Sequence, residues 1–270
     1  MGYIGRLKST ISFLVEFTRF LSWLATLKQN LVASFLLLLL EPFRQSNIVI
    51  LLFFIITQLF LFAYTFVVND FGDKDLDIRA GKIKPIQGYS YLKIVVILST
   101  LAAGSLFIPL YYGDFVVKVI SIAAFLLLTF YSLEPLRFKE KGILGIIIAD
   151  AAQRSILFLI FGLFISARPL LIIFFMGWLF IIGFQDELDH QLVDIENDEK
   201  SVARTWVRQV GYRTGKKVLI TFLFVSLIYL LFTFLFLDPY VACVVSITLF
   251  IFRFRVMGAI YYKTIFQATD

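Results

Sequence analysis

Two acidic segments of the chain carry oxygen ligands at a spacing of four residues. The first contains Asn69, Asp73 and Asp77, and the second contains Asp194 and Asp198. If the preceding helix continued through each segment, these side chains would stack on one face, where like charges repel one another. A divalent cation removes that repulsion, and magnesium prefers carboxylate and amide oxygens. The spacing therefore indicates metal binding at both segments.

The composition of the chain indicates that its helices cross a membrane. Of its 270 residues, 60% are hydrophobic, 16% are charged and 32 are Phe. No soluble fold of this size could bury so much apolar surface, so lipid must be its solvent, which excludes a secreted domain or an ordinary soluble enzyme. The single cysteine, Cys243, and the single histidine, His190, exclude a disulfide scaffold and a multi-histidine zinc site.

Apolar stretches predict an all-α bundle of eight or nine transmembrane helices with a cavity that faces the cytoplasm. Most stretches approach the length that crosses a hydrocarbon core about 30 Å thick. The predicted spans are Phe20–Leu40, Ile48–Val68, Ile94–Tyr112, Phe115–Tyr131, Ile143–Ile165, Pro169–Phe184, Val218–Leu237 and Tyr240–Phe252. Val256–Phe266 is either a ninth span or an interfacial piece. We expect residues 1–19 to be an amphipathic segment and residues 20–270 to be one transmembrane domain.

The loops between the predicted spans alternate in charge. The long, charged connections are Asn69–Tyr91, Glu134–Gly142 and Asp186–Lys217. Of the 25 lysines and arginines, those on or beside the short loops are only Arg44, Lys118 and Arg168. Because lysine and arginine are retained in the cytoplasm, this asymmetry predicts that the charged loops face the cytoplasm of a plasma-membrane protein. It also accounts for the net charge of +6 without a nucleic-acid partner.

Cations follow both acidic segments. They are Arg79, Lys82 and Lys84 after the first, and Lys200 and Arg204 after the second. A single segment of this kind is more simply a solvated loop, in which lysines balance the carboxylates. Two of them on one side of a membrane favour a site where carboxylates, magnesium and cations bind a pyrophosphate. In a membrane, that pyrophosphate is expected to belong to an isoprenoid diphosphate.

Three motifs resemble the signatures of the UbiA-type intramembrane prenyltransferases. They are Asn69-Asp-x-x-Asp73-x-x-x-Asp77 followed by Lys84-Pro-Ile and Gly88, then Tyr131-Ser-Leu-Glu-Pro-Leu-Arg137-Phe-Lys139 followed by Lys141-Gly142, then Asp194-Ile-Glu-Asn-Asp198 followed by Arg204-Thr205 and Gly211. They occur in the order of the family and cover about residues 20–255. The chain departs from the family pattern at Lys84, Gln191 and Asn197, where arginine, aspartate and glycine are usual.

The resemblance implies magnesium-dependent transfer of a prenyl group from an isoprenoid diphosphate to an aromatic or lipid acceptor. The metal ligands that it implies are Asn69 and Asp73 for one ion, and Asp194 and Asp198 for the other. The residues implied to contact the diphosphate are Asp70, Asp77, Arg79, Lys82, Lys84, Arg137 and Lys139. The catalytic residues implied are Asp73, Asp194, Tyr131 and Lys139, with Tyr131 steadying the allylic cation or positioning the diphosphate.

Other functions fit part of the sequence. A membrane-bound terpene cyclase of the same superfamily would use the same diphosphate site without an acceptor. A transporter or a non-catalytic binder of lipid diphosphates would also place charges in a membrane bundle. Against a transporter, nearly all the charge lies at one face.

A few polar residues lie in or beside the predicted spans. Asp150 and Arg154 are four residues apart in an apolar stretch, which predicts an ion pair that faces the bundle interior. We interpret Lys28–Asn30 as an interfacial break in the first span, and His190 as a polar residue of the third charged loop.

Overall fold

The computed structural model describes residues 12–42, 44–79, 81–193, 195, 205–237 and 239–261. Every regular element in these ranges is helical, which confirms the predicted all-α fold. In chain order, the α-helices are α1 (Phe20–Leu40), α2 (Gln45–Gly72), α3 (Lys74–Arg79), α4 (Tyr91–Tyr112), α5 (Phe115–Ser132), α6 (Ile143–Asp150), α7 (Ile156–Phe164), α8 (Pro169–Val193), α9 (Trp206–Val210), α10 (Tyr212–Phe236) and α11 (Pro239–Tyr261). One π-helical turn, Ala151–Ser155, joins α6 to α7.

Within the described residues, seven segments are long and apolar enough to cross a membrane. These are α1, α2, α4, α5, the joined α6–α7, α8 and the Tyr212–Leu235 part of α10. Helix α11 contributes a shorter apolar stretch, Pro239–Phe250. The chain is therefore an integral membrane helix bundle. Residues 256–261 continue α11 instead of opening a ninth span, and residues 262–270 lie outside the described residues.

The centre of the bundle is an apolar and aromatic core between α1, α2, α7 and α8. Trp178, Phe158 and Phe175 are almost fully buried there. The rings of Phe54 and Phe161 have centroids 4.8 Å apart, which joins α2 to α7. By contrast, α4 and α10 keep many large apolar side chains exposed. Because lipid replaces water around this surface, exposed apolar side chains are its expected composition.

Two expectations about the spans are wrong. The span expected to end at Phe184 continues as α8 to Val193, so His190 lies on a helix and not in a loop. Helix α1 is continuous through the predicted break at Lys28–Asn30. Both errors have one cause: hydropathy falls where polar side chains occur, but a helix continues as long as its backbone hydrogen bonds do.

Candidate functional site

The carboxylate of Asp73 lies where three segments of the chain meet. Helix α2 ends at Gly72, and Asp73 follows as its C-cap. The Nζ of Lys139 donates hydrogen bonds to both carboxylate oxygens of Asp73 at 2.6 Å, and to the Oδ1 of Asn69 at 3.1 Å. The Nη2 of Arg137 donates to the Oδ1 of Asp73 at 2.7 Å. We call Asn69, Asp73, Arg137 and Lys139 the Asp73 cluster; it joins the first two sequence motifs.

A close approach between α2 and α5 positions the amide of Asn69. A Cβ atom on Gly72 would lie 2.7 Å from the carbonyl oxygen of Ser132, so no larger residue fits at this crossing. The Oγ of Ser132 then donates to the Oδ1 of Asn69 at 2.7 Å. The amide oxygen is thus fixed by two donors, from Ser132 and Lys139.

The two cations of the Asp73 cluster respond differently to their surroundings. Burial lowers the pKa of Lys139, against the opposing effect of the Asp73 charge. Burial also acts to lower the pKa of Arg137, but the hydrogen bond with Glu140 and the charge of Asp73 outweigh it, and the pKa is raised. Arg137 and Lys139 are thus paired with two carboxylates, those of Asp73 and Glu140, and both cations are partly desolvated.

A second ion cluster anchors the loop that follows α2. Asp70 is 3% exposed, and its Oδ1 accepts hydrogen bonds from Arg19 at 3.2 Å and from Lys84 at 3.3 Å. The Arg19 guanidinium also lies 5.1 Å from the ring centroid of Phe66. Lys84 therefore contacts Asp70 and not Asp73. Arg19 was not predicted as a partner of Asp70.

The remaining cations of the first motif lie away from the Asp73 cluster. Arg79 and Lys82 are exposed, and neither side chain makes an ion pair or hydrogen bond to another described residue. Asp77 is partly buried, and burial raises the pKa of its carboxyl group. These three residues stay predictions as diphosphate contacts.

Tyr131 links the Asp73 cluster to α8. It lies on the last turn of α5, within electrostatic range of both Asp73 and Glu187. The predicted second pair of metal ligands, Asp194 and Asp198, lies outside the described residues. Among the described residues, no group of three or more histidine, cysteine, aspartate or glutamate side chains could hold a metal. The side-chain oxygens of Asn69 and Asp73 lie side by side, since the Nζ of Lys139 contacts both.

The predicted ion pair between Asp150 and Arg154 is present inside the bundle. The Nη1 of Arg154 donates to the Oδ1 of Asp150 at 3.1 Å. Its Nη2 donates to Asp186 of α8 at 3.2 Å, and its Nε donates to the Oε1 of Gln29 at 2.8 Å. Asp186 and Gln29 were not predicted as partners, because their contacts depend on how the helix faces are turned.

This polar network corrects the interpretation of the Lys28–Asn30 segment. Gln29 and Asn30 are buried in the bundle, and only Lys28 is exposed. The Nδ2 of Asn30 donates to the Oε1 of Gln58 at 2.6 Å and to the carbonyl oxygen of Gln153 at 3.0 Å. These side chains form contacts between spans.

Comparison with known proteins places the chain in a family. The model of the UbiA prenyltransferase family matches residues 30–267. No curated protein sequence matches the chain.

Solved structures share the fold. A UbiA homolog from Archaeoglobus fulgidus bound to GPP and Mg2+ has a TM-score of 0.72 at 17% identity, covering 92% of this chain and 86% of that chain. The same homolog bound to DMAPP and Mg2+ gives 0.72 at 18% identity, covering 92% and 85%. A structure described for the biosynthesis of digeranylgeranylglyceryl phosphate synthase in membranes gives 0.63 at 15% identity, covering 95% and 99%.

Proposed function

Because this chain belongs to the UbiA prenyltransferase family, we propose that it transfers a prenyl group from an isoprenoid diphosphate to an aromatic or lipid acceptor within the membrane. The observation that carries the proposal is the Asp73 cluster, in which two oxygen ligands and two cations converge at the end of α2. We also propose that this end of the bundle faces the cytoplasm across a plasma membrane, since the cationic loops lie there.

The donor set of the Asp73 cluster fits magnesium. The amide oxygen of Asn69 and the carboxylate of Asp73 are both hard oxygen ligands, and the Nζ of Lys139 contacts both of them. Bound there, magnesium would supply Lewis-acid neutralisation of the charge that develops on a departing diphosphate. Asp194 and Asp198 remain the proposed second pair of ligands.

Lys139 and Arg137 would bind the diphosphate itself. Both are largely buried, with side chains 16% and 13% exposed, and both already hold an anionic carboxylate. A guanidinium can donate two parallel hydrogen bonds to phosphate oxygens, while an ammonium acts as a point charge. Negative charge on the diphosphate grows as the allylic carbon–oxygen bond breaks. Cations fixed around it therefore stabilise the transition state more than the ground state.

Tyr131 would act on the other fragment of the substrate. Its ring lies close enough to Asp73 and Glu187 to feel both charges, and a diphosphate bound at the Asp73 cluster would bring the reacting carbon beside it. The face of a tyrosine ring attracts a cation. We therefore assign to Tyr131 the stabilisation of the allylic cation, or the positioning of the diphosphate beside it.

The test uses the full-length protein in lipid nanodiscs with labelled geranyl, farnesyl and geranylgeranyl diphosphates and a panel of acceptors. We expect a magnesium-dependent prenylated product that chelation abolishes. Asp73→Ala should lower turnover at least 10- to 100-fold, the loss typical for a residue that supports a metal ligand. Hydrocarbon formed without any acceptor would instead identify a cyclase.

The matched control for Asp73→Ala is Asp114→Ser at the opposite end of α5. The carboxylate of Asp114 caps that helix by accepting from the Val117 amide at 2.8 Å, and serine preserves such a cap. Asp114→Ser should leave turnover unchanged. If Asp73→Ala binds prenyl diphosphate with the magnesium dependence of the parent protein, the proposal fails.

A further inference from the structure

The connection between α3 and α4 presents apolar side chains to the outside of the protein. Ile83 is 93% exposed, the highest value among the large apolar side chains of the described residues. Leu76 and Ile78 of the adjacent α3 are exposed as well. Apolar surface in water forgoes the free energy gained by burial, so several such side chains in one connection indicate an interaction site. We call residues 82–88 the Ile83 loop.

Three contacts fix the conformation of the Ile83 loop. The Nε2 of Gln87 donates to the carbonyl oxygen of Lys82 at 2.8 Å, which closes the loop. Lys84 is held by its ion pair with α2, and the side chain of Ile86 is almost fully buried. Because the residues on both sides of Ile83 are held in this way, the exposure of its side chain is a property of the fold.

The Ile83 loop packs against the beginning of a membrane span. Its residue Ile86 belongs to an apolar cluster with Ile94, which is fully buried in the first turn of α4. Tyr91 and Leu92 of the same turn are exposed, and α4 keeps further apolar side chains exposed along the span. Tyrosine is enriched where a span enters the layer of lipid head groups. The loop therefore lies at the level of the head groups and continues the lipid-facing surface of α4.

Cations accompany these apolar side chains. Between residues 74 and 93, the exposed charged side chains are three cations, Arg79, Lys82 and Lys93, and one acid, Asp75. None of the three cations forms an ion pair or a side-chain hydrogen bond with another residue in the part of the chain that the structure describes. Apolar side chains combined with lysine and arginine are typical of segments that bind a membrane surface, where anionic lipids attract the cations.

We propose that the Ile83 loop binds the lipid leaflet at this end of the bundle, with the side chain of Ile83 inserted among the lipids. Arg79, Lys82 and Lys93 bind the phosphates of anionic head groups there. A soluble partner protein fits less well, because the loop lies beside a span that faces lipid. The inference goes beyond the proposed prenyl transfer and does not depend on it. It gives Arg79 and Lys82 a lipid phosphate as partner and leaves the donor diphosphate to the Asp73 cluster.

The first test measures the depth of residue 83 in the full-length protein in lipid nanodiscs. Ile83→Cys in a Cys243→Ser background carries an environment-sensitive fluorophore, which is quenched either by nitroxide-labelled lipids or by iodide in the water. The control position is Asp75→Cys, an exposed acidic residue of α3. At residue 83 we expect blue-shifted emission, quenching by the lipid nitroxide and weaker quenching by iodide than at residue 75. Equal iodide quenching at the two positions would overturn the insertion of Ile83.

The second test asks whether the cations select anionic lipid. Nitroxide-labelled phosphatidylglycerol and phosphatidylcholine, at equal mole fraction, are compared as quenchers of the fluorophore at residue 83. We expect the anionic lipid to be enriched about 5-fold or more around the fluorophore, since each nearby lysine or arginine contributes about that factor. Combining Arg79→Gln, Lys82→Gln and Lys93→Gln should abolish the enrichment, and high salt should reduce it in the parent protein.

The matched control for the triple variant is Arg44→Gln, which removes an exposed cation at the other end of α2. This control should leave the enrichment of anionic lipid unchanged. Equal quenching by the two lipids in the parent protein would refute the assignment of anionic head groups. A triple variant that keeps the enrichment of the parent protein would refute it as well. The comparison of salt concentrations uses the parent protein, so it does not depend on the folding of any variant.

Geranyl diphosphate with magnesium separates the two sources of phosphate. If the cations bind lipid head groups, saturating geranyl diphosphate leaves the enrichment of anionic lipid around residue 83 in place. Loss of the enrichment would assign the cations to the donor diphosphate and contradict the proposal. Because none of these measurements requires turnover, a failure of the proposed prenyl transfer would leave their results unaffected.

Discussion

Removing the guanidinium of Arg154 should destabilise the bundle severely. Arg154→Leu deletes the cation that contacts Asp150 and Asp186, and it leaves the Asp150 carboxylate buried without a cation among the described residues. The Asp150 side chain has no solvent exposure and the Arg154 side chain is 8% exposed, so water cannot replace the lost partner. The neighbouring amide of Gln29 also loses its donor, at 2.8 Å.

The size of the expected destabilisation follows from the burial of the ion pair between Asp150 and Arg154. Breaking a buried ion pair by removing one partner costs about 3–5 kcal/mol. Domains of 150–250 residues lose roughly 2–4 °C in melting temperature per kcal/mol, so the expected decrease is about 6–20 °C. Adding Asp150→Asn to Arg154→Leu removes the buried charge that has lost its partner. Because an amide carries no charge, this double variant should recover much of the lost stability.

The assay is thermal unfolding in detergent, and the matched control is Arg168→Leu. Arg168 forms an ion pair with Glu41 at 3.2 Å, but its side chain is 62% exposed. Exposed pairs contribute at most about 1 kcal/mol, so this control should shift the melting temperature by less than about 4 °C. An Arg154→Leu variant that melts like the control, or a double variant no better than the single one, would refute the reasoning.

Three further perturbations test other parts of the structure. Gly183→Ala places a Cβ 1.6 Å from the Oδ1 of Asp150 and should lower the melting temperature about as much as losing the arginine. The control is Gly88→Ala, whose new Cβ has no atom within 4 Å and should leave the melting temperature unchanged. Lys139→Gln should raise the dissociation constant for prenyl diphosphate about 10- to 100-fold, since hydrogen bonds to charged groups contribute about 1.5–3 kcal/mol; titration in nanodiscs checks this. Asp75→Cys in a Cys243→Ser background should react with a thiol reagent only from the cytoplasmic side. Labelling from outside intact cells would show that the predicted topology is wrong.

Hydropathy predicted the spans well where their ends are apolar. The bounds of the first span, Phe20–Leu40, are those of α1. The predicted end of the sixth span at Phe184 was wrong, because α8 continues past it into a polar but buried stretch. In that stretch Gln185 is fully buried and Asp189 is 1% exposed. A hydropathy average treats such residues as loop residues. It does not register that a polar side chain can face the protein interior, where other polar groups satisfy it.

Contacts within one helix were predictable, and contacts between helices were less so. Spacing alone predicted the pair of Asp150 and Arg154, because residues four apart share a helix face. The family resemblance assigned Asp73 and Lys139 to one site, but no pattern in the sequence predicted their direct contact. The contact of Arg154 with Asp186 depends on the rotation of α8, and an almost uniformly apolar span carries little periodicity to fix that rotation.

The buried ion network of Asp150, Arg154 and Asp186 needs a physical explanation. Apolar residues of similar volume can match or exceed the stability of a buried ion pair, so stability alone does not explain Asp150, Arg154 and Asp186. An apolar centre would serve a prenyl chain equally well, since hydrocarbon needs no hydrogen bonds. The ion network instead joins three spans, because Arg154 contacts Asp150 on its own span, Gln29 on α1 and Asp186 on α8. We therefore infer that the network is retained because it fixes the positions of α1 and α8 against the α6–α7 span.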